Sequence, residues 1–295
     1  MQIEIQLMSG AGNLFTVIDN RDKKISTDFV QKNHIKLSQN LGRNKINTEG
    51  IMLLENGFES NDISNGTIYD FVCKFFNPDG STGMMCGNGG RCIIQFAKDK
   101  MFADFERTEI NKSDFTFFMA NTIYNGKIIS NNYVELVLPK HNLIEQRELL
   151  INNINYKFTY VHNGSDHSVF DLSHLTEQEF WDFDLINFAS KFRYHNIFPN
   201  GTNINIFTII GNNILLRTFE RGVEAETGAC GTGSVATAIS ANINHKIDFP
   251  INIIPTSKSP LLIGIAGLEN GNYDLVTNYT LTGAADYLEK ITLDF

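Results

Sequence analysis

Residues 73–97, CKFFNPDGSTGMMCGNGGRCIIQFA, are echoed by residues 216–241, LRTFERGVEAETGACGTGSVATAISA. In both stretches an extended segment leads into a polar loop, then into Cys-Gly-x-Gly, and then into a sequence with helical periodicity. The second of the two cysteines, Cys230, follows Cys86 by 144 residues. A repeat of this kind predicts two similar domains, because each copy supplies the same strand, loop and helix.

Weaker echoes flank this pair in the same order. GAGNLFTVID (10–19) resembles NGSDHSVFDL (163–172), and TEGIMLLE (48–55) resembles GTNINIFTI (201–209). The sequence therefore predicts an α/β (α+β) protein with one domain at 1–127 and a second at 128–281. The final segment ITLDF has strand character, so a strand within 282–295 is expected to return to the first domain.

Local composition predicts the individual elements. β-Branched and aromatic enrichment predicts strands at 2–8, 14–19, 51–55, 70–76, 115–122, 133–138, 156–161, 167–171, 204–210 and 213–219. Periodicity predicts helices at 29–41, 89–99, 184–193 and 232–245. Thr176 with Glu179 forms a capping-box pattern, which predicts a short helix before Trp181.

Composition and charge exclude several classes of protein. The 295 residues are 42% hydrophobic and 19% charged, which is typical of folded domains with a large core. The formal net charge is −9 and basic residues do not cluster, so we expect no nucleic-acid partner. The N-terminal sequence lacks the pattern of a signal peptide and no apolar run is long enough to span a bilayer, so we expect a cytoplasmic protein without a membrane partner.

The four cysteines are expected to have different roles. Cys73 lies in an apolar strand and Cys92 in a helix, positions typical of a small buried hydrophobic side chain. Disulfides are not expected in a reducing cytoplasm. Cys86 and Cys92 lack the close Cys or His pairing that zinc requires, so no metal is expected.

The Cys-Gly-x-Gly motif before a helix has a specific chemical capacity. Glycines allow backbone N–H groups to approach a ligand closely, and the first turn of a helix leaves such groups unpaired. The helix dipole favours a carboxylate there and lowers the pKa of a cysteine at the same place. Each copy of the motif therefore offers an anion site next to a reactive sulfur.

Two such motifs in one chain predict proton exchange at a carbon atom. If Cys86 and Cys230 face a substrate from opposite sides, one thiolate can remove a proton while the other thiol donates one. The resulting carbanion would be stabilised by donors around a carboxylate, so no cofactor is expected.

These motifs, together with their surroundings, resemble bacterial diaminopimelate epimerase over nearly the whole chain. The segments that carry the resemblance are GAGNLFTVID, TEGIMLLE, FFNPDGSTGMMCGNGGRC, HNGSDHSVF, FPNGTNINIF and FERGVEAETGACGTGS. The resemblance implies two similar domains related by a pseudo-two-fold axis, each a mixed sheet curled around a central helix, with the active site in the cleft between them. It also implies interconversion of LL- and meso-diaminopimelate without pyridoxal phosphate, in lysine and peptidoglycan synthesis, and a homodimer.

Residue roles also follow from the resemblance. It implies that Cys86 and Cys230 are the catalytic acid and base and that His167 and Glu220 adjust their pKa values. The substrate contacts it implies are Asn13, Asn77, Gly87, Asn88, Asn203, Glu220, Arg221, Gly231 and Thr232. These roles fit the residue types, because Arg can clamp a second carboxylate and Asn can bind both carboxylate and ammonium.

The sequence departs from the family pattern at Leu14, at Asp166, at residues 45–49, and in the extra residue within 224–227. The exact amino acid therefore stays open. A racemase or epimerase of another amino acid, such as histidine or hydroxyproline, is one alternative, and a catalytically silent ligand-binding relative is another. The presence of both cysteines argues against the second.

Overall fold

The computed structural model describes residues 1–57, 69–83, 85–101, 113–139, 143–268 and 276–295. Contacts divide the chain into two compact units. The N-terminal unit comprises Met1–Leu136 and Gly283–Phe295, and the C-terminal unit comprises Val137–Thr282.

The described residues form sixteen strands and five helices. The strands are β1 (Gln2–Gly10), β2 (Asn13–Asp19), β3 (Gly50–Asn56), β4 (Phe71–Phe76), β5 (Asp114–Met119), β6 (Thr122–Ser130), β7 (Tyr133–Pro139), β8 (Leu143–Ile151), β9 (Ile154–His162), β10 (Asp166–Asp171), β11 (Asn203–Ile210), β12 (Asn213–Glu220), β13 (Ala225–Thr227), β14 (Ile251–Ile254), β15 (Leu261–Leu268) and β16 (Val276–Asp294). The helices are α1 (Thr27–Ser38), α2 (Gly87–Met101), α3 (Glu177–Asp182), α4 (Leu185–Ser190) and α5 (Gly231–His245).

The division of the chain falls later than the sequence suggested. The predicted boundary between residues 127 and 128 lies inside β6, where residues 122–127 pair with β5 and the Ile128 N–H donates to the Ser113 carbonyl. Because this hairpin belongs to the sheet of the N-terminal unit, the division moves to Leu136 and Val137, within β7. The C-terminal part of β16 pairs with β1, from Ala285 opposite Gly10 to Asp294 opposite Gln2.

In the N-terminal unit the sheet surrounds α2. Residues from Gly87 to Ala97 of this helix are all buried, and the helix packs against β1, β2, β3 and β6. Glycine permits the close approach, since a Cβ on Gly10 of β1 would lie 2.5 Å from the Asn88 carbonyl oxygen. Helix α1, capped by Ser26, covers the other face of the sheet, where Val30 and Leu37 pack against Ile5, Ile18 and other apolar strand residues.

The C-terminal unit has the same organisation around α5. This helix packs against β9, β10, β11, β12, β14 and β15, and Gly233, Ser234, Ala236, Ala238, Ser240 and Ala241 give it a narrow profile. The other face of the sheet is covered by α3 and α4. Seven phenylalanines fill this second core: Phe158, Phe170, Phe180, Phe188, Phe192, Phe198 and Phe219.

The order of strand pairing shows the internal repeat directly. From β1 to β6 successive neighbours pair antiparallel, parallel, antiparallel, parallel and antiparallel. The path β9, β10, β11, β12, β14, β15 has the same five pairings in the same order. α2 and α5 occupy matching places, after the fourth strand of each path. The predicted α/β class, with two similar domains that each wrap a mixed sheet around a central helix, is confirmed.

Candidate active site

Cys86 immediately precedes the buried helix α2. Its carbonyl oxygen accepts a hydrogen bond from the Gly90 N–H at 2.7 Å, so α2 begins at this residue. Cys86 is half-buried, whereas Gly87 and Asn88 are buried. The first-turn N–H groups, including those of Gly87 and Asn88, therefore lie beside the cysteine, as the motif predicts.

Asn13 and Asn77 lie at the ends of strands in the N-terminal unit. Asn13 pairs with Gly10, the residue of β1 that packs against Asn88. Its Nδ2 donates to Glu49, while its buried Oδ1 has no hydrogen-bond partner among the described residues. Asn77 follows β4 and forms a tight turn in which its N–H and its Nδ2 both donate to Ser81.

Arg91 is a feature of this helix that sequence reasoning missed. Its side chain is fully buried, and burial lowers its pKa to about 10. Nη2 donates to Asn88 Oδ1 at 3.0 Å and Nη1 to the Gly87 carbonyl at 3.4 Å, while Nε has no partner among the described residues. Arg91 is thus a buried cation that holds the side chain of Asn88. The available signal was an arginine within an otherwise apolar helical pattern.

The other two cysteines are placed as the sequence suggested. Cys73 of β4 and Cys92 of α2 are both buried. Burial raises the pKa of the Cys73 thiol well above its usual range and that of Cys92 to about 12. Both sulfurs are therefore protonated at neutral pH and poorly reactive.

Cys230 repeats the arrangement of Cys86 in the C-terminal unit. It is the N-cap of α5, and its Sγ accepts a hydrogen bond from the Gly233 N–H at 3.4 Å. Its carbonyl accepts from the Ser234 N–H at 2.8 Å, matching the bond from Gly90 to Cys86. The Thr232 hydroxyl lies 3.6 Å from the same sulfur, and Gly231 is buried.

His167 reaches the start of α5 from β10. The ring is fully buried, and burial lowers its pKa to about 3, so the imidazole is neutral at physiological pH. Nε2 lies 3.0 Å from Thr232 Oγ1, and Nδ1 lies 3.1 Å from Asn205 Nδ2. His167 therefore contacts the residue next but one to Cys230 rather than the sulfur itself.

Glu220 is the last residue of β12, and its side chain contacts Cys230. Its Oε1 accepts a hydrogen bond from the Thr227 hydroxyl at 2.6 Å. Burial raises the pKa of Glu220, against the lowering effect of its hydrogen bonds to Thr227 and to Cys230. The Glu220 side chain thus contacts both the Thr227 hydroxyl and the Cys230 thiol.

Asn203 and Arg221 form the outer part of this cluster. Asn203 Oδ1 accepts from the Arg221 N–H at 2.8 Å, and its Nδ2 donates to the Asp166 carbonyl and to Ser165 Oγ, each at 2.8 Å. Arg221 Nη1 donates to Asp166 Oδ2 at 3.0 Å and to the Asn200 carbonyl at 3.0 Å. Asp166 Oδ1 in turn accepts from the Tyr160 hydroxyl at 2.5 Å.

Each unit thus assembles its own set of predicted residues. In the N-terminal unit Cys86, Gly87 and Asn88 adjoin at the start of α2, Asn13 pairs with Gly10, which packs against Asn88, and Asn77 lies in the turn after β4. The C-terminal cluster contains His167, Asn203, Glu220, Arg221, Cys230, Gly231 and Thr232. The described residues hold no group of three or more His, Cys, Asp or Glu side chains suited to a metal ion. Within the same residues, no helix has the length and apolar character needed to cross a membrane.

Sequence comparisons point to one family. Residues 159–263 match the family model described as diaminopimelate epimerase. The chain is 31% identical over 293 residues to the diaminopimelate epimerase of Flavobacterium psychrophilum, covering 96% of this chain and 97% of that protein. It is 33% identical over 244 residues to the diaminopimelate epimerase of a Hydrogenobaculum species, covering 79% of this chain and 80% of that protein.

Solved structures share the fold. A phenazine biosynthesis PhzC/PhzF protein from Clostridium difficile superposes with a TM-score of 0.70 at 14% identity, over 99% of this chain and 100% of that one. A hydroxyproline epimerase from Agrobacterium vitis superposes with a TM-score of 0.65 at 11% identity, over 99% of this chain and 92% of that one. At these identities the likeness is one of architecture.

Proposed function

The chain belongs to the diaminopimelate epimerase family, a family of isomerases, and we propose that it interconverts LL- and meso-2,6-diaminopimelate by two-base proton transfer at the α-carbon. In this proposal it needs no pyridoxal phosphate and supplies lysine and peptidoglycan synthesis. The observation that carries the proposal is the repeated cysteine. Cys86 and Cys230 each stand directly before the buried central helix of their own unit, followed by glycine.

The proposed reaction moves one proton in and one proton out. One cysteine, as thiolate, removes the α-proton and becomes a thiol, and the electron pair left on the carbon is shared with the α-carboxylate. The other cysteine, as thiol, gives its proton to the opposite face of the carbon and becomes a thiolate. The reverse reaction exchanges these roles, so no oxidant, reductant or cofactor is consumed.

The helix starts are proposed to stabilise the charge that develops on the α-carboxylate. The first-turn N–H groups at Gly87 and Asn88, and at Gly231 and Thr232, are fixed before the reaction by the helices that carry them. Donors aimed at a developing negative charge contribute about 10²- to 10³-fold each in comparable enzymes. Asn88 is further held by the buried guanidinium of Arg91.

Glu220 is proposed to exchange a proton with Cys230. It contacts the thiol, and burial raises its pKa, which makes the carboxylate a better proton acceptor. His167 has a different role in this proposal. Because burial keeps its ring neutral, it supplies no positive charge and acts through Thr232.

The remaining polar groups are proposed to bind the two amino-acid ends of the substrate. Asn13 Oδ1, a buried acceptor without a partner among the described residues, suits an ammonium group. Arg221 uses Nη1 for its contacts to Asp166 and Asn200, and no described residue accepts a hydrogen bond from its Nε or Nη2. That edge suits a carboxylate bound through two parallel hydrogen bonds, as the distal end of a diamino diacid requires.

A second candidate is an epimerase or racemase of another amino acid. The observation that favours it is the ion pair of Arg221 with Asp166, because this carboxylate partly neutralises the guanidinium that would bind the distal carboxylate. A substrate without a second carboxylate would depend less on Arg221.

A panel of amino acids assayed for α-proton exchange in deuterated water separates the two candidates. LL-Diaminopimelate should exchange and epimerise faster than mono-carboxylic amino acids, including histidine and hydroxyproline. Replacement of Arg221 by Met should slow diaminopimelate selectively. Faster exchange on a mono-carboxylic amino acid, or equal sensitivity of all substrates to Arg221→Met, would favour the second candidate.

A further inference from the structure

A continuous set of hydrogen bonds connects the interior of the C-terminal unit to Cys230. Thr218 Oγ1 donates to Asn205 Oδ1 at 3.1 Å, Asn205 Nδ2 meets His167 Nδ1 at 3.1 Å, and His167 Nε2 meets Thr232 Oγ1 at 3.0 Å. Thr232 Oγ1 then lies 3.6 Å from Cys230 Sγ. Thr218, Asn205 and His167 are at most 2% exposed, so solvent does not compete for these contacts.

The orientation of the Asn205 amide is fixed by its surroundings. Its Nδ2 also lies 3.5 Å from the Asn203 carbonyl oxygen, which can only accept a hydrogen bond. The opposite end receives the Thr218 hydroxyl and packs on Gly233, where an added Cβ would lie 2.6 Å from Oδ1. The NH₂ group of Asn205 therefore faces His167, and the amide cannot turn over without placing two acceptors together.

This orientation determines the tautomer of His167. Because Asn205 Nδ2 is a donor, His167 Nδ1 must accept and carries no hydrogen. Burial keeps the ring neutral, so its single hydrogen is on Nε2 and is donated to Thr232 Oγ1. In buried imidazoles generally, the hydrogen bond made by one ring nitrogen determines which nitrogen carries the hydrogen.

The tautomer in turn directs the hydroxyl of Thr232. With one lone pair of Oγ1 occupied by His167, the hydroxyl hydrogen is available to a different neighbour. Among the described residues that neighbour is Cys230 Sγ, which also accepts from the Gly233 N–H. Two donors, one side chain and one backbone, thus meet at the sulfur and favour its ionised form.

We propose that Asn205 is a positioning residue which, by fixing His167 as the Nε2–H tautomer, turns the Thr232 hydroxyl towards Cys230 Sγ and so stabilises the thiolate. The catalytic role of Asn205 in this inference rests on the proposed function, whereas the hydrogen-bond geometry does not. The other groups that act on these residues are Glu220 at Cys230, and Asp166, Arg221 and His162 at His167.

The tautomer is tested by nitrogen NMR of protein labelled with ¹⁵N-histidine. The His167 signal is identified by its absence from a His167→Gln variant. The wild-type ring should be neutral with hydrogen on Nε2 from pH 8 down to pH 5, whereas Asn205→Asp, which offers only acceptors, should move the hydrogen to Nδ1. A wild-type ring that is an imidazolium or carries its hydrogen on Nδ1 at neutral pH would overturn the proposal.

The effect on the sulfur is tested by alkylation with iodoacetamide across pH, with the Cys230 peptide read by mass spectrometry. Thr232→Val removes the hydroxyl at constant charge and should raise the pH midpoint of Cys230 alkylation by about one unit, whereas Thr232→Ser should leave it near the wild-type value. Thr237→Val is the matched control, since Thr237 is a buried threonine of the same helix whose hydroxyl has no partner among the described residues.

An unchanged midpoint in Thr232→Val, or an equal shift in Thr237→Val, would contradict the proposal. Neither measurement requires turnover. A protein that epimerised no amino acid would therefore refute the proposed function while still yielding a result, for or against, on this set of hydrogen bonds.

Discussion

Replacement of Arg217 by Met is expected to destabilise the C-terminal unit, because it removes a buried ion pair and several buried hydrogen bonds. Arg217, 9% exposed on β12, forms a double hydrogen bond with Glu226 at 2.9 and 2.7 Å. Its Nη1 also donates to the carbonyls of Phe180, Trp181 and Phe183, at 3.0, 3.3 and 2.7 Å. The residue thus ties the segment between Glu220 and Cys230 to the end of α3.

The size of the effect follows from these contacts. Methionine keeps most of the apolar stem but leaves Glu226 and the three carbonyls without their donor. Breaking a buried ion pair by removing one partner costs about 3–5 kcal/mol. We expect about 3 kcal/mol, the lower end, because the Glu226 side chain is 20% exposed and keeps its hydrogen bond from Thr256.

Urea unfolding followed by circular dichroism at pH 7 measures this loss. Lys157→Met is the matched control, because it removes the cation of an exposed ion pair with Glu148 in the same unit. Exposed pairs contribute about 0–1 kcal/mol, so the control should unfold close to the wild type. A loss below about 1 kcal/mol in Arg217→Met, or equal losses in both variants, would refute the reasoning.

The difference in the free energy of unfolding between the wild type and Arg217→Met should depend on pH. Burial acts to raise the pKa of Glu226, but hydrogen bonds from Arg217 and Thr256 bring it below its ordinary value. A lowered folded-state pKa contributes stability above the unfolded-state pKa, and this contribution is lost as the pH falls through the folded-state value. The stability difference should therefore be full at pH 7 and shrink below about pH 4.

Three further changes test the site. Asp166→Ala removes the ion pair that orients the Arg221 guanidinium. We expect this loss of orientation to outweigh the gain from removing a neutralising carboxylate, so KM for diaminopimelate should rise roughly tenfold with kcat within about twofold; a fall in kcat at unchanged KM, in initial-rate assays, would contradict this. Glu220→Gln keeps the shape of the side chain but removes the proton acceptor and should lower kcat about 10²-fold, so wild-type turnover would argue against a role for this carboxyl. Gly233→Ala places a Cβ 2.6 Å from Asn205 Oδ1 and should destabilise the unit by about 1–3 kcal/mol, together with a loss of turnover; a thermal midpoint and activity equal to the wild type would show that this contact relaxes freely.

The sequence predicted the parts of the fold with strong local signals. The Cys-Gly-x-Gly motifs located the starts of α2 and α5 within two residues, and the capping box of Thr176 located α3. The segment 115–122, predicted as one strand, is two strands joined at Ala120 and Asn121. Both residues have positive φ, which is typical of a tight hairpin turn, and alanine gives little signal for it.

Several strands were not predicted from the sequence, because they form through pairing with neighbouring strands and not through a strand-like local composition. β8 contains Glu145, Arg147 and Glu148 and is half-exposed, so its composition does not indicate a strand. It forms because it pairs with β9 along the whole of Leu143–Ile151. β14 and β15 were also not predicted, and of β16 only the final part was recognised, since long-range pairing has no local signature.

Within the site, the sequence indicated the reactive groups better than the groups that orient them. Asn205 and Thr218 were missed, although Asn203 and Asn205 are two residues apart and therefore share one face of β11. A pair of asparagines on the inward face of an apolar strand was the available signal. The neutral state of His167 could not be predicted, because it depends on complete burial beneath α5.

The central claim is that two cysteines exchange one α-proton, and single-cysteine variants in deuterated water test it most directly. Cys86→Ala and Cys230→Ala should each abolish epimerisation of LL-diaminopimelate, while the wild-type product should carry deuterium at the α-carbon. Cys73→Ala, which alters a buried thiol of raised pKa, is the control and should retain turnover. Near wild-type epimerisation in either Cys86→Ala or Cys230→Ala, or an unlabelled wild-type product, would contradict the two-base account.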